Sequence, residues 1–121
     1  MSNGKILVVD DEDTICNLLN DSLSDMGYSV TVAHNGDEAI REINKGGFDI
    51  IITDIKMPDM SGIEVLKAAR TIDPTAVIIV ITGYATIETT QEALRSGAYD
   101  YITKPFPIEE IKFVVNRGVE T

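Results

Sequence analysis

The sequence predicts an α/β fold, a doubly wound parallel sheet of five strands with helices on both faces. Five short apolar runs recur at regular intervals, and four of them do not alternate cleanly with polar residues. That is the pattern of strands buried on both sides. Between the runs lie segments whose apolar residues follow helical spacing. Repeated strand-helix units with short connections imply a parallel sheet joined by right-handed crossovers.

The first strand is expected at Ile6 to Val9, and the first helix carries Ile15, Leu18, Leu19, Leu23 and Met26 toward one side. A second strand covers Tyr28 to Ala33. Asn35-Gly36-Asp37-Glu38 then opens the second helix, with a capping side chain three residues before a glutamate. The third strand is Ile50 to Thr53, and Ser61-Gly62-Ile63-Glu64 repeats the capping signature ahead of Leu66, Lys67 and Arg70. After the fourth strand, Ala76 to Ile81, come Thr86, Ile87, Thr89 and Thr90. These β-branched residues have below-average helix propensity, so the fourth helix is expected to be marginal and easily shifted. The fifth strand is Tyr99 to Ile102, and Pro107 suits the first turn of the last helix.

A chain of 121 residues fits one domain that buries a core without disulfides or a structural metal, and residues 1–121 are expected to form a single such unit. Hydrophobic residues make up 44% and charged residues 25%, an ordinary globular composition. Its apolar runs fall short of the roughly 20 residues that span a bilayer, so no membrane contact is expected. The segment Met1-Ser2-Asn3-Gly4-Lys5 lacks the apolar stretch of a secretory signal, and the single Cys16 cannot form an internal disulfide. Both features fit a reducing cytoplasm. The net charge of -10 repels phosphate backbones, which argues against direct nucleic-acid binding. Neither phosphate-cradling glycine motif is present, so nucleotide binding has no support.

The stretch "VVDDED" turns an apolar run into four consecutive acids. Carboxylates this close repel and lose hydration at the edge of an apolar layer, an arrangement that asks for a cation. In an open parallel sheet, ligands collect beyond the carboxyl ends of the strands. There the first strand presents Asp10-Asp11, the third Thr53-Asp54, the fourth Thr82-Gly83, and the fifth Lys104-Pro105. With strand order 2-1-3-4-5, Asp10, Asp11 and Asp54 would converge. Their hard oxygens suit Mg²⁺, whereas an EF-hand loop is missing and Cys16 and His34 sit in different elements, against calcium and zinc. One acid would suffice to cap a helix, which leaves the pair unexplained by capping alone. Glu12 and Asp13 fit the solvated first turn of the first helix and are left out of the site, His34 reads as a surface residue, and Cys16 as a small packing residue. A carboxylate beside a divalent cation, a lysine and a hydroxyl is equipped for phosphoryl transfer, with Asp54 as nucleophile and an acyl phosphate as product.

Four motifs in this order, "VVDDE", "IITDIKMPDMSGIEVL", "VIIVITGYA" and "GAYDYITKPF", resemble the receiver domain of two-component response regulators, from about Lys5 to the last helix. The resemblance implies the flavodoxin-like fold, and Asp54 as phosphoacceptor with Mg²⁺ held by Asp11, Asp54 and the backbone carbonyl of Lys56. Asp10 would act mainly through water. Lys104 would pair with one phosphoryl oxygen and Thr82 with another, and Tyr101 would turn inward as Thr82 moves. The family also implies a cis bond between Lys104 and Pro105, and places Lys56, Gly83 and Tyr84 at the rim, where bulky Tyr84 would slow hydrolysis. The domain would catalyse only its own phosphorylation and dephosphorylation.

The donor implied is a histidine kinase or histidine phosphotransfer domain docking near Thr14, Ile15, Asn17 and Pro105. The output surface would be the fourth helix, fifth strand and fifth helix, serving an output domain in a longer chain or a phosphorylation-dependent homodimer. "ITGYATIETTQEALRSGAYDYITKPF" is most similar to receivers of the nitrogen-regulator type. Phosphatases of the haloacid dehalogenase type use similar groups but need an acid two residues after the nucleophile, where this chain has Lys56. An inert pseudo-receiver is disfavoured because all five chemical positions are filled.

Overall fold

The computed structural model describes residues 4–120. Strands and helices alternate as β1 (Lys5–Val9), α1 (Asp13–Asp25), β2 (Ser29–Ala33), α2 (Gly36–Lys45), β3 (Ile50–Thr53), α3 (Gly62–Ile72), β4 (Val77–Thr82), α4 (Ile87–Arg95), β5 (Asp100–Thr103) and α5 (Ile108–Val119). All pairings are parallel, in the order β2-β1-β3-β4-β5. Strand ends agree with the sequence reading to within one residue. Tyr28 falls outside β2 because its amide closes on the Leu23 carbonyl at the end of α1, and Ala76 likewise closes on Asp73.

Alternate strand residues supply two cores, which is why β1, β3 and β4 read as continuous apolar runs. Leu7, Val9, Ile51, Ile78 and Val80 pack with residues of α2, α3 and α4. Ile6, Val8, Ile50, Ile52, Ile79 and Ile81 pack with residues of α1 and α5. The winding therefore reverses between β1 and β3, and the crevice there opens at the carboxyl ends of the strands.

Two details correct the sequence reading. Pro107 lies just before α5, in extended backbone at its N-cap, since the helix begins at Ile108. Leu18, expected on the buried side of the first helix, is 41% exposed. Cys16, Leu19 and Leu23 already fill the buried stripe of α1, and Leu18 falls beside it.

The predicted caps form as read. Asn35 Oδ1 accepts the Glu38 amide at 2.9 Å, and Ser61 and Glu64 cap α3 reciprocally. The first turn of α3 lies so close to β3 that a Cβ on Gly62 would stand 1.8 Å from the Asp54 carbonyl oxygen. Gly62→Ala should therefore lower stability in urea unfolding by about 2 kcal/mol through overpacking. Gly83→Ala, with nothing nearer than Lys104 Cβ at 4.0 Å, should cost far less.

Candidate functional site

Three of the residues singled out at the strand ends are held by the sheet itself. The Asp10 amide donates to Ala33 of β2, the Asp54 amide to Val9 of β1, and the Lys104 amide to Thr82 of β4, at 2.9 to 3.1 Å. Each bond extends a strand ladder by one step, so the three side chains follow directly from hydrogen-bonded sheet backbone. The peptide bond between Lys104 and Pro105 is cis, as the resemblance implied.

Oxygens of Asp10, Asp11 and Asp54 lie within 4.8 Å of one another, a group able to hold a metal ion. Asp10 and Asp54 are buried and Asp11 is exposed, which leaves the cluster open on one side. The donors are all carboxylate oxygens, suited to a hard divalent cation. Lys104 Nζ is the neutralising charge, 2.8 Å from Asp10 Oδ2 and 2.9 Å from Asp54 Oδ2. The remaining Asp10 and Asp54 oxygens accept the Glu12 and Lys56 amides at 2.9 and 3.2 Å.

Burial raises the Asp10 pKa, against the opposing hydrogen bonds from Lys104 and Glu12. Burial also acts to strip the Lys104 proton, but hydrogen bonds to Asp10 and Asp54 outweigh it and hold the ammonium above its ordinary pKa. Burial, with Asp10 and Asp13 nearby, pushes the Cys16 thiol up to about 11. Its sulfur donates to the Asp10 carbonyl at 3.2 Å, in keeping with a packing role.

The residues read from the sequence as rim and switch surround this cluster as follows. Lys56 Nζ sits 4.1 Å from the centre of the Tyr84 ring, which is 59% exposed. Together with Asp11, Glu12, Asp54, Met57 and Pro58 they line a recess of about 270 Å³. Gly83 is exposed beside them. Thr82 is fully buried, and its hydroxyl accepts the Tyr84 amide at 3.0 Å. Tyr101 is half-buried, its hydroxyl 3.1 Å from Thr89 Oγ1 on the first turn of α4.

Sequence reasoning missed two of these neighbours. Glu12, set aside as solvated, places Oε1 3.6 Å from Lys104 Nζ. It is the N-cap residue of α1, one position before the first turn expected for it. Thr89, read only as a poor helix former, pairs with Thr86 in a capping box and reaches Tyr101. The T-x-x-T spacing was its one available signal. His34 is exposed as expected, between Asp13 and Glu38 at 3.4 and 3.6 Å.

A parallel sheet covered on both faces, with this cluster at its switch point, places the chain among doubly wound α/β domains with an acidic site at the strand ends. The family model for the response regulator receiver domain matches residues 6–116, and the chain belongs to that family. It is 37% identical over 114 residues to "Transcriptional regulatory protein ZraR" of Klebsiella oxytoca, a match covering 94% of this chain and 26% of that one. It is 38% identical over 117 residues to "Sporulation initiation phosphotransferase F" of Bacillus subtilis (strain 168), covering 97% and 94%.

Among solved structures, a receiver domain protein (CheY-like) from Methanospirillum hungatei JF-1 superposes with a TM-score of 0.95 at 32% identity, covering 97% of this chain and 94% of that one. The beryllofluoride-activated NtrC4 receiver domain dimer gives 0.90 at 34% identity, covering 96% of each. The chain spans about a quarter of the length of the first curated relatives it matches. It is a phosphorylation-activated signalling switch of two-component systems, of the nitrogen-regulator-like type.

Lys104 is 13% exposed and bridges two buried carboxylates. Lys104→Met should lower stability by about 3 kcal/mol in urea unfolding, because it leaves those charges uncompensated. Adding Asp10→Asn should recover most of that loss, and a double variant as unstable as the single would refute the electrostatic account.

Proposed function

We propose that Asp54 is the phosphoacceptor, and that its phosphorylation by a histidine kinase or histidine phosphotransfer domain shifts the surface formed by α4, β5 and α5. The observation that carries this reading is Lys104 Nζ held 2.9 Å from Asp54 Oδ2 beside the acidic pair. An Asp54 oxygen attacks phosphorus, the P–O bond forms as the donor's P–N bond breaks, and the imidazole nitrogen leaves with the electron pair. Lys104 stays protonated and meets the charge arriving on the phosphoryl oxygens. Held by Asp11, Asp54 and the Lys56 carbonyl, with Asp10 acting mainly through water, Mg²⁺ would neutralise further phosphoryl charge. Water attacking the same acyl phosphate restores Asp54 and releases inorganic phosphate. The Lys56 and Tyr84 pair at the rim governs its access.

The response is local electrostatics acting on a soft element. Thr82 exchanges the Tyr84 amide for a phosphoryl oxygen, and Tyr101 gives up Thr89 to follow it. In α4 the buried residue is Ala93, and Ile87 is 78% exposed, so little apolar contact resists the shift. The kinase-facing surface combines exposed Thr14, Asn17, Leu18 and Pro105 with half-buried Ile15. Cytoplasmic placement fits the single buried Cys16, and no helix among the described residues is long and apolar enough to cross a membrane. In a longer chain the α4-β5-α5 face would serve an output domain or a second receiver.

Intact mass after incubation with acetyl phosphate should show a transient phosphate adduct that requires both Asp54 and Mg²⁺. It should be absent from Asp54→Ala and from a metal-free control. Steady release of inorganic phosphate without an adduct would instead indicate a phosphatase. Thr82→Ala should still take up phosphate but show a blunted shift of the α4 amide resonances, and an undiminished shift would remove Thr82 from the switch.

A further inference from the structure

Beyond Asp54 the chain turns back sharply, with Lys56 and Ser61 facing one another in an antiparallel bridge. The tip of this loop reaches the start of α2. Asp59 Oδ1 accepts the Gly36 amide and Oδ2 the Asp37 amide, both at 2.9 Å. Those amides belong to the first turn of a helix and have no partner within it. Met60 presses on the same spot so closely that a Cβ on Gly36 would lie 2.1 Å from Met60 Cγ.

This tie completes the N-terminal cap of α2 and, because it comes from a distant loop, also anchors that loop. Asn35 already caps the Glu38 amide from within the same segment, and Asp59 is 22 and 23 residues distant. The same two bonds hold the loop at its tip. At the loop's other end, the Lys56 amide is bonded to Asp54 Oδ1 at 3.2 Å and the Gly62 amide to the Ile55 carbonyl at 2.7 Å. The carbonyl of Lys56 thus belongs to a short span fixed both on β3 and on α2. The two amides also hold the Asp59 pKa below the usual carboxylate value, which keeps both oxygens available as acceptors.

We infer that Asp59 is a positioning residue for the metal centre: by clamping the loop to α2 it presents the Lys56 carbonyl to a divalent cation bound by Asp11 and Asp54. This rests on the phosphoacceptor reading above. Without the clamp, ordering of the loop is charged against metal binding, as when a partner outside the ligand set is lost.

Isothermal titration of Mg²⁺ into the unphosphorylated protein tests this with Asp59→Ala and Asp59→Asn. Both variants remove the same charge, but Asn keeps one acceptor oxygen and the side-chain shape. Asp59→Ala should weaken Mg²⁺ binding by about tenfold, with Asp59→Asn clearly between it and the parent. The shortfall of Asp59→Ala in phosphorylation by acetyl phosphate should close as Mg²⁺ is raised. Should Asp59→Ala fail to fold by circular dichroism, Asp59→Ser takes its place, since one short hydroxyl cannot reach both amides. Equal weakening in Asn and Ala would assign the effect to long-range charge and overturn the inference, as would unchanged affinity in both. A parent that binds no Mg²⁺ would overturn the phosphoacceptor reading itself.

Discussion

One unbalanced set of charges organises this molecule: the carboxylates of Asp10, Asp11 and Asp54 converge, and the Lys104 ammonium bonds two of them. Lys104 follows β5 as Asp10 and Asp54 follow β1 and β3, separated from it by 94 and 50 residues. A sheet in the order β2-β1-β3-β4-β5 makes the acids neighbours and leaves β4 between Asp54 and Lys104. A long lysine stem carrying a compact charge can cross that gap, while the planar fork of arginine would demand a more particular geometry. Burial of Asp10 works against its ionisation, so the acidic excess is tolerated for chemistry and not for stability. That imbalance is also what suits the crevice to a cation.

Much of this was legible in the sequence because the reactive residues directly follow buried strands. "ILVVDD", "IIITD" and "VIIVITG" each join an apolar run to a polar terminus, and the run fixes the backbone from which the next side chain leaves. Strand ends shifted by one residue where a helix-closing turn captured the amide of Tyr28 or Ala76. Such turns leave little trace in hydrophobic patterning.

The residues that escaped notice act through tertiary contacts that no local pattern encodes. Glu12 reads as a solvated helix-start acid until β5 brings Lys104 to it. Leu18 satisfies helical spacing yet misses the core, because three other α1 residues already cover the sheet. Asp59 resembles an ordinary turn aspartate after Pro58, and its partners on α2 are fixed only once the fold closes. Thr89 shows the same limit in milder form: its low helix propensity was visible, but not its reach to Tyr101.

The two loops flanking the acidic crevice differ in how closely they are packed, and that difference suits a switch. After β3, the chain is gripped by Gly62 against the Asp54 carbonyl, by Met60 on Gly36, and by Asp59 on two amides. After β4, residues 83–88 are all exposed, and the helix they lead into buries Ala93 alone. Chemistry needs oxygens held in place before the phosphoryl group arrives. Signalling needs a segment whose two arrangements differ by little free energy, so that a few new bonds can change their populations. A molecule rigid throughout would accept phosphate without reporting it, and one soft throughout would lose the arrangement of acids on which acceptance depends. On the proposed reading, the tightly held loop beside Asp54 and the exposed one beyond Thr82 meet these two demands within one crevice.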